Sequence, residues 1–144
     1  MGFELILPFM RPIEPLLLDQ EVSEIMGNPD SSWWIERDGE LRPAQGIRFD
    51  AAPLRTGLEV IANHLGKKLD EDNPLLTARL PDGSRLAALI PPLVSSAPAL
   101  TIRKFTSRNY TADDLIERGT LSRALAEFLR QQVQSGETIL ISGG

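Results

Sequence analysis

The hydrophobic pattern of this chain changes its period near residue 105, and the change divides the sequence into two kinds of structure. Before that residue, short runs of alternating apolar and polar residues are separated by turn sequences, which is typical of antiparallel strands. The clearest turns are Asp38-Gly39 and Pro81-Asp82-Gly83, each of which lies between two such runs. The pattern therefore predicts strands at residues 22–26, 32–37, 40–43, 46–49, 75–80, 84–90 and 99–105.

Two helices are predicted within the same part of the chain. A short helix is expected at residues 12–18, because the prolines there are tolerated only in a first turn. Asp50 is placed to cap a longer helix, and Gly66 is placed to end it. The first 105 residues are therefore expected to form an α+β domain, with an antiparallel sheet of about five or six strands.

After residue 105 the period becomes that of a helix. Thr111 and Asp114 have the spacing of a capping box, which predicts the start of a short helix. Thr120 is expected to cap a longer helix that ends at Gly136, with one apolar stripe formed by Leu121, Leu125, Phe128, Leu129 and Val133. A further strand is predicted at residues 138–142.

Composition excludes several classes of function. The 144 residues are 42% apolar, which is enough for one domain with a core. The net charge of −5 argues against nucleic-acid binding, which normally requires a basic face. With no cysteine and only His64 as a histidine, no thiolate or histidine metal site and no Ser-His-Asp set can be assembled. The apolar opening segment resembles neither a signal peptide nor a membrane span, so we expect a soluble intracellular protein.

The last seven residues form an apolar run that leads into Gly143 and Gly144. A phosphate-binding P-loop begins in this way, because the backbone approaches the phosphate closely there and leaves no room for side chains. Two readings remain open at this point. Either the segment is the first strand and start of a P-loop, or the two glycines belong to a simple tail.

Three arginines are candidate phosphate ligands. Arg103 lies at the end of an apolar strand just before the linker, and Arg79 and Arg85 flank the Pro81-Asp82-Gly83 turn. A guanidinium presents a rigid fork of donors that matches phosphate oxygens. From the residues alone, each of the three is equally compatible with a solvated position on the polar side of a strand. Lys104 is expected to be a solvated neighbour of Arg103.

Taken together and in order, four segments resemble the amino-terminal domain and linker of the secretion-superfamily traffic ATPases, the motors of type IV secretion, conjugal transfer and pilus or tight-adherence assembly. The segments are Val22-Ser23-Glu24-Ile25-Met26-Gly27-Asn28 with Trp34-Ile35-Glu36-Arg37-Asp38-Gly39, then Ala78-Arg79-Leu80-Pro81-Asp82-Gly83-Ser84-Arg85, then Pro91-Pro92 with Leu100-Thr101-Ile102-Arg103-Lys104, and Ile139-Leu140-Ile141-Ser142-Gly143-Gly144.

The resemblance implies a PAS-like domain at residues 1–105, a helical linker at 106–137, and at 138–144 the first strand and P-loop start of a RecA-type ATPase domain that lies beyond this segment. It implies a hexameric ring in which nucleotide binds between the two domains. It also implies that Arg103, Arg85 and Arg79 contact the terminal phosphate of ATP, with Gly143 and Gly144 in the phosphate loop.

The same resemblance implies ATP and Mg²⁺ as cofactors of the longer protein, with no metal site, no catalytic residue and no hydrolysis in this segment alone. The implied partners are its own ATPase domain, neighbouring subunits, and inner-membrane components of a secretion or pilus machine, at the cytoplasmic face of that membrane. The alternative hypothesis is a free-standing α+β adaptor without nucleotide, in which the apolar stripe of residues 121–133 binds a partner protein.

Overall fold

In the computed structural model of this chain, residues 4–105 and 110–142 are described. The chain divides into two compact units, Met1–Thr106 and Ser107–Gly144.

The first unit is built around one six-stranded sheet in which every neighbouring pair is antiparallel. The strand order is β3-β2-β1-β6-β5-β4. The first three strands of the chain form one half of the sheet, the last three form the other half, and β1 and β6 join the halves at the centre. The strands are β1 (Val22–Gly27), β2 (Trp33–Arg37), β3 (Glu40–Pro43), β4 (Leu75–Arg79), β5 (Arg85–Leu89) and β6 (Ala99–Arg103). The predicted α+β class with an antiparallel sheet is confirmed.

Helices and the amino-terminal segment cover one face of this sheet. A 3-10 turn, Arg11–Ile13, leads into the short helix α1 (Glu14–Leu18), and α2 (Ala51–His64) supplies a longer apolar face. The core contains residues of both layers, because every second side chain along the strands points toward the helices. Its fully buried large residues are Ile6, Met10, Ile13, Leu17, Val22, Ile25, Leu58, Ile61, Leu76, Leu86, Ile90 and Ile102.

The first hairpin has the turn that its sequence predicts. Arg37 pairs with Glu40, so Asp38 and Gly39 form a two-residue loop. Both loop residues have positive φ, 53° and 80°, as a type I′ turn requires and as few residues other than Asp, Asn and Gly readily allow.

The predicted strand at residues 46–49 is wrong, because in the described chain these residues do not pair with β3, the edge strand that they follow. Phe49 instead stacks on the indole of Trp33, with ring centroids 4.9 Å apart. The adjacent tryptophans divide as alternation predicts, with Trp33 buried and Trp34 39% exposed.

The second unit contains α3 (Ala112–Glu117) and α4 (Arg123–Gln134). The predicted capping box is confirmed, because Thr111 and Asp114 exchange both hydrogen bonds. The cap of α4 is not Thr120 but Ser122, whose hydroxyl accepts from the Leu125 amide at 3.2 Å. Residues 138–142 are not a strand, since no part of the described chain pairs with them.

No helix in the described ranges is both long and apolar enough to cross a membrane.

Candidate functional site

The face of the sheet that points away from the helices holds the predicted phosphate ligands. Along β5, Leu86 and Ala88 are buried in the core, while Arg85 and Ala87 are exposed on the opposite face. Along β6, Leu100 and Ile102 are buried in the same way. The alternation of these strands therefore puts Arg103 on the same open face as Arg85.

Strand register places the three arginines side by side. Arg79 pairs with Arg85 across β4 and β5, and Arg85 pairs with Arg103 across β5 and β6. Side chains in such pairs have Cβ atoms about 4.5–5.5 Å apart. The three guanidiniums thus form a continuous line, which we call the arginine row (Arg79, Arg85 and Arg103).

The row continues into β1 and β2 with the opposite charge. Arg103 pairs with Glu24 on its other side, and Glu24 pairs with Glu36. Sequence reasoning missed Glu24 and Glu36 as members of this row, because only strand order brings β1 next to β6. Once that order is known, their alternate positions on β1 and β2 identify them.

Placing like charges directly opposite one another destabilises a sheet. Two such arginine pairs occur in succession, and in residues 4–105 and 110–142 no ion pair involves any of the three guanidiniums. Arg79 donates from Nε to the Gly83 carbonyl at 3.4 Å, a long hydrogen bond. Uncompensated positive charge of this kind is suited to binding an anion.

The arginine row lies along a shallow groove of about 690 Å³, which Glu24, Thr77, Thr101 and Lys67 also line. Lys67 follows the C-terminal end of α2 and adds a fourth cation at the groove edge. Guanidinium forks and an ammonium can hold phosphate oxygens, but they supply neither a nucleophile nor a general base. The groove can therefore bind and polarise an anion.

The buried side chain of Ser84 links the hairpin that carries Arg79 and Arg85 to the end of the strand that carries Arg103. Ser84 precedes Arg85, and its hydroxyl accepts a hydrogen bond from the Phe105 amide at 2.9 Å and donates to Asp82. It thereby ties the tip of the β4–β5 hairpin to the end of β6. Gly83, with φ of +91°, lies against the Phe105 ring, which a Cβ at that position would approach to 3.2 Å.

Lys104 is not the solvated neighbour of Arg103 that was expected. Its ammonium is half-buried on the other side of the sheet, where it donates to the carbonyls of Leu16 and Asp19 at the end of α1. A lysine in this position satisfies carbonyls that the helix leaves without partners. Burial is the main cause that lowers the pKa of Lys104 below its usual value.

The remaining predicted site residues contribute less. Gly143 and Gly144 lie outside the described residues. His64 makes a hydrogen bond from Nδ1 to the Val60 carbonyl at 2.9 Å, and the described part of the chain holds no cluster of three or more acidic, histidine or cysteine side chains suited to a metal ion.

The other half of the open face is apolar. Beyond the arginine row a depression of about 280 Å³ is lined by Met26, Trp34, Leu41, Leu89 and Ala99 among others. Trp34 and Leu41 are 39% and 63% exposed, so this half of the sheet has large apolar side chains in contact with solvent.

Comparison with known proteins matches the chain to one family. The family model described as type II/IV secretion system protein covers residues 10–144. A probable conjugal transfer protein, TrbB of Sinorhizobium fredii, is 37% identical over 128 residues, which are 88% of this chain and 38% of the relative. The type IV secretion system protein VirB11 of Bartonella quintana is 31% identical over 121 residues, 82% of this chain and 33% of the relative.

A solved structure has the same fold. The crystal structure of the VirB11 ATPase from the Brucella suis type IV secretion system, in complex with sulphate, superposes with a TM-score of 0.73 at 20% identity. The match covers 91% of this chain and 42% of that one. The chain thus spans about two fifths of the length of the relatives TrbB and VirB11 that it matches in sequence and structure.

Proposed function

Since the chain belongs to the type II/IV secretion system protein family, we propose that it forms the amino-terminal domain and linker of a hexameric ATPase. Such a motor powers type IV secretion, conjugal DNA transfer or pilus assembly. The family match favours this function over a free-standing adaptor, in which nucleotide plays no part.

The observation that carries the proposal is the arginine row. Three arginines in adjacent register positions form no ion pair with a carboxylate among the described residues, and they line one solvent-facing groove. A relative of the same fold was crystallised with sulphate, an anion with the tetrahedral shape and charge of a phosphate group. In our proposal the arginine row meets the terminal phosphate of ATP, which an ATPase domain of the RecA type presents together with Mg²⁺ through a P-loop that begins at Gly143 and Gly144.

The proposed role of this domain is electrostatic. As the bond to the terminal phosphate breaks, negative charge spreads over the transferred group and its leaving oxygen. Guanidinium donors held by a rigid sheet stabilise that charge without having to reorganise. Arginines in such positions contribute about 10³–10⁵ to the rate in other nucleotide hydrolases. In this proposal the nucleophile and the general base come from the ATPase domain.

The same contact provides a route from nucleotide to motion. When ATP is present, the arginine row draws the amino-terminal domain toward the phosphate, and hydrolysis removes the attraction. Hinge closure of this kind is a common way to convert nucleotide state into movement. Neighbouring subunits of the ring and inner-membrane components of the secretion or pilus machine are the proposed partners, at the cytoplasmic face of that membrane and without direct contact to nucleic acid.

The test uses the longer protein and three variants. Arg103→Ala is expected to lower kcat for ATP hydrolysis by about 10³-fold or more. Arg103→Lys is expected to recover only part of that loss, because an ammonium keeps the charge but lacks the planar fork. The matched control is Arg42→Ala, which removes an exposed strand arginine that pairs with Glu40 at the far edge of the sheet.

Wild-type hydrolysis in Arg103→Ala would overturn the proposed role. An equal loss in Arg42→Ala would show that the effect is not specific to the arginine row. Circular dichroism of both variants checks that the sheet is intact.

A further inference from the structure

Glu24 is the one carboxylate among the described residues that line the groove, and it is the register partner of Arg103. Opposite charges directly across an antiparallel pair attract each other. A carboxylate at this point also repels any anion that approaches the arginine row. It therefore acts on the site in two ways, through Arg103 and through its own charge.

The carboxylate of Glu36, the neighbour of Glu24 on β2, has a hydrogen-bond partner of its own. The hydroxyl of Ser23 donates to the Glu36 carboxylate at 3.0 Å and to the Glu36 carbonyl at 3.1 Å. Within the described ranges, no comparable hydrogen bond or ion pair holds Glu24. Of the two glutamates, Glu24 is therefore the one whose carboxylate remains available to Arg103.

We propose that Glu24 is a positioning residue that competes with phosphate for Arg103. Across the strand pair, the charge of Glu24 attracts the guanidinium without forming a close ion pair. When a terminal phosphate arrives, this attraction opposes the movement of Arg103 toward the phosphate oxygens. Because a carboxylate repels an anion in proportion to its charge, Glu24 weakens the binding of a triphosphate more than the binding of a less charged anion, and it thereby narrows the preference of the site for the triphosphate. This inference rests on the proposed function, since it concerns the same arginine.

The expected size of the effect follows from Coulomb's law. At about 6 Å in a water-like medium, removing one carboxylate charge strengthens binding about threefold for each unit of anion charge nearby. For two phosphate charges near the arginine row, the gain is about tenfold at low ionic strength. Glu36 lies one strand further away, at about 10 Å, where the same calculation gives about twofold for each unit of anion charge.

The test measures binding of inorganic tripolyphosphate to the 144-residue chain by isothermal titration calorimetry at low ionic strength. Glu24→Gln keeps the shape of the side chain and removes its charge, and it is expected to bind tripolyphosphate about tenfold more tightly than wild type. A singly charged anion such as nitrate should gain less, about threefold, because it places one unit of charge in the groove. The matched control Glu36→Gln should gain less in both cases, about fourfold for tripolyphosphate and about twofold for nitrate.

Several results are decisive. An unchanged or weaker affinity in Glu24→Gln overturns the inference, and if only thermal stability changes, the residue has a structural role alone. If Glu24→Gln and Glu36→Gln strengthen binding equally, the effect comes from the change in net charge and not from competition for Arg103. The proposed function fails separately, if Arg103→Ala binds tripolyphosphate as well as wild type does. If neither wild type nor Glu24→Gln binds it, the inference is overturned, while the proposed function is decided by the hydrolysis test on the longer protein.

Discussion

Replacing Ser84 with alanine tests how the arginine row is held in place. Ser84 is the one buried polar side chain in the described part of the chain. Its hydroxyl accepts from the Phe105 amide at 2.9 Å and donates to the Asp82 carboxylate. Ser84→Ala removes both hydrogen bonds and leaves the Phe105 amide without its acceptor.

The magnitude follows from those two bonds. A hydrogen bond to a charged group contributes about 1.5–3 kcal/mol, and a donor left without a partner costs about 1–3 kcal/mol. Because both hydrogen bonds are only part-buried, the lower end of each range applies, for a total of about 2–3 kcal/mol. With a urea slope of about 2 kcal/mol per M, the unfolding midpoint should fall by about 1–1.5 M.

Urea unfolding followed by tryptophan fluorescence measures this loss, since Trp33 is buried in the same unit. Hydrogen exchange adds a local readout, because the Phe105 amide should exchange faster in the variant. The matched control is Ser32→Ala. The Ser32 hydroxyl accepts a hydrogen bond from the side-chain amide of Asn28 at 3.0 Å on an exposed turn. That variant should lose less than about 0.5 kcal/mol. Equal losses in the two variants, or an unchanged exchange rate at Phe105, would refute the reasoning.

Two further predictions concern other parts of the fold. Gly27→Ala should cost about 1–3 kcal/mol in urea unfolding, because its Cβ would lie 2.6 Å from the buried Trp33 ring; unchanged stability would contradict this contact. The Asp70 carboxyl accepts hydrogen bonds from Lys68 and Asn73, and the bond from Lys68 has the larger effect on its pKa. The pKa of Asp70 measured by NMR should therefore be about 2 instead of 3.8. Because this pKa is lower in the folded state, the carboxylate's contribution to stability is complete above pH 3.8 and is lost as the pH falls toward 2. Lys68→Met should raise that pKa, and an unchanged value would refute the cause.

The sequence predicted most strands because each hairpin carries its own turn chemistry. Asp38-Gly39 supplies two residues that accept positive φ, and Pro81-Asp82-Gly83 closes the second hairpin. The capping box at Thr111 was equally local. Signals of this kind lie within a few residues of one another, so they can be read without knowledge of the tertiary structure.

The errors arose where the outcome depends on distant partners. Residues 46–49 have strand-like residues, but they do not pair with the free edge of β3, and Phe49 packs on Trp33 instead. Lys104 follows Arg103 directly, and only the position of α1 on the opposite face explains why its ammonium binds carbonyls there. Residues 138–142 likewise need a partner strand that the described chain does not contain.

The site was predictable in part. Alternation along β5 and β6 is enough to place Arg85 and Arg103 outward, and the short hairpin makes Arg79 the partner of Arg85. The pairing of β1 with β6 joins residues nearly eighty positions apart, and no local sequence pattern predicts it. Glu24 therefore became part of the site only in the folded structure.

The most direct measurement of the central claim is a crystal structure of the longer protein with a non-hydrolysable ATP analogue and Mg²⁺. We predict that guanidinium nitrogens of Arg103 lie about 2.7–3.2 Å from oxygens of the terminal phosphate, with Arg85 facing the same group. A terminal phosphate held entirely by other residues, with the arginine row turned to solvent, would contradict the account.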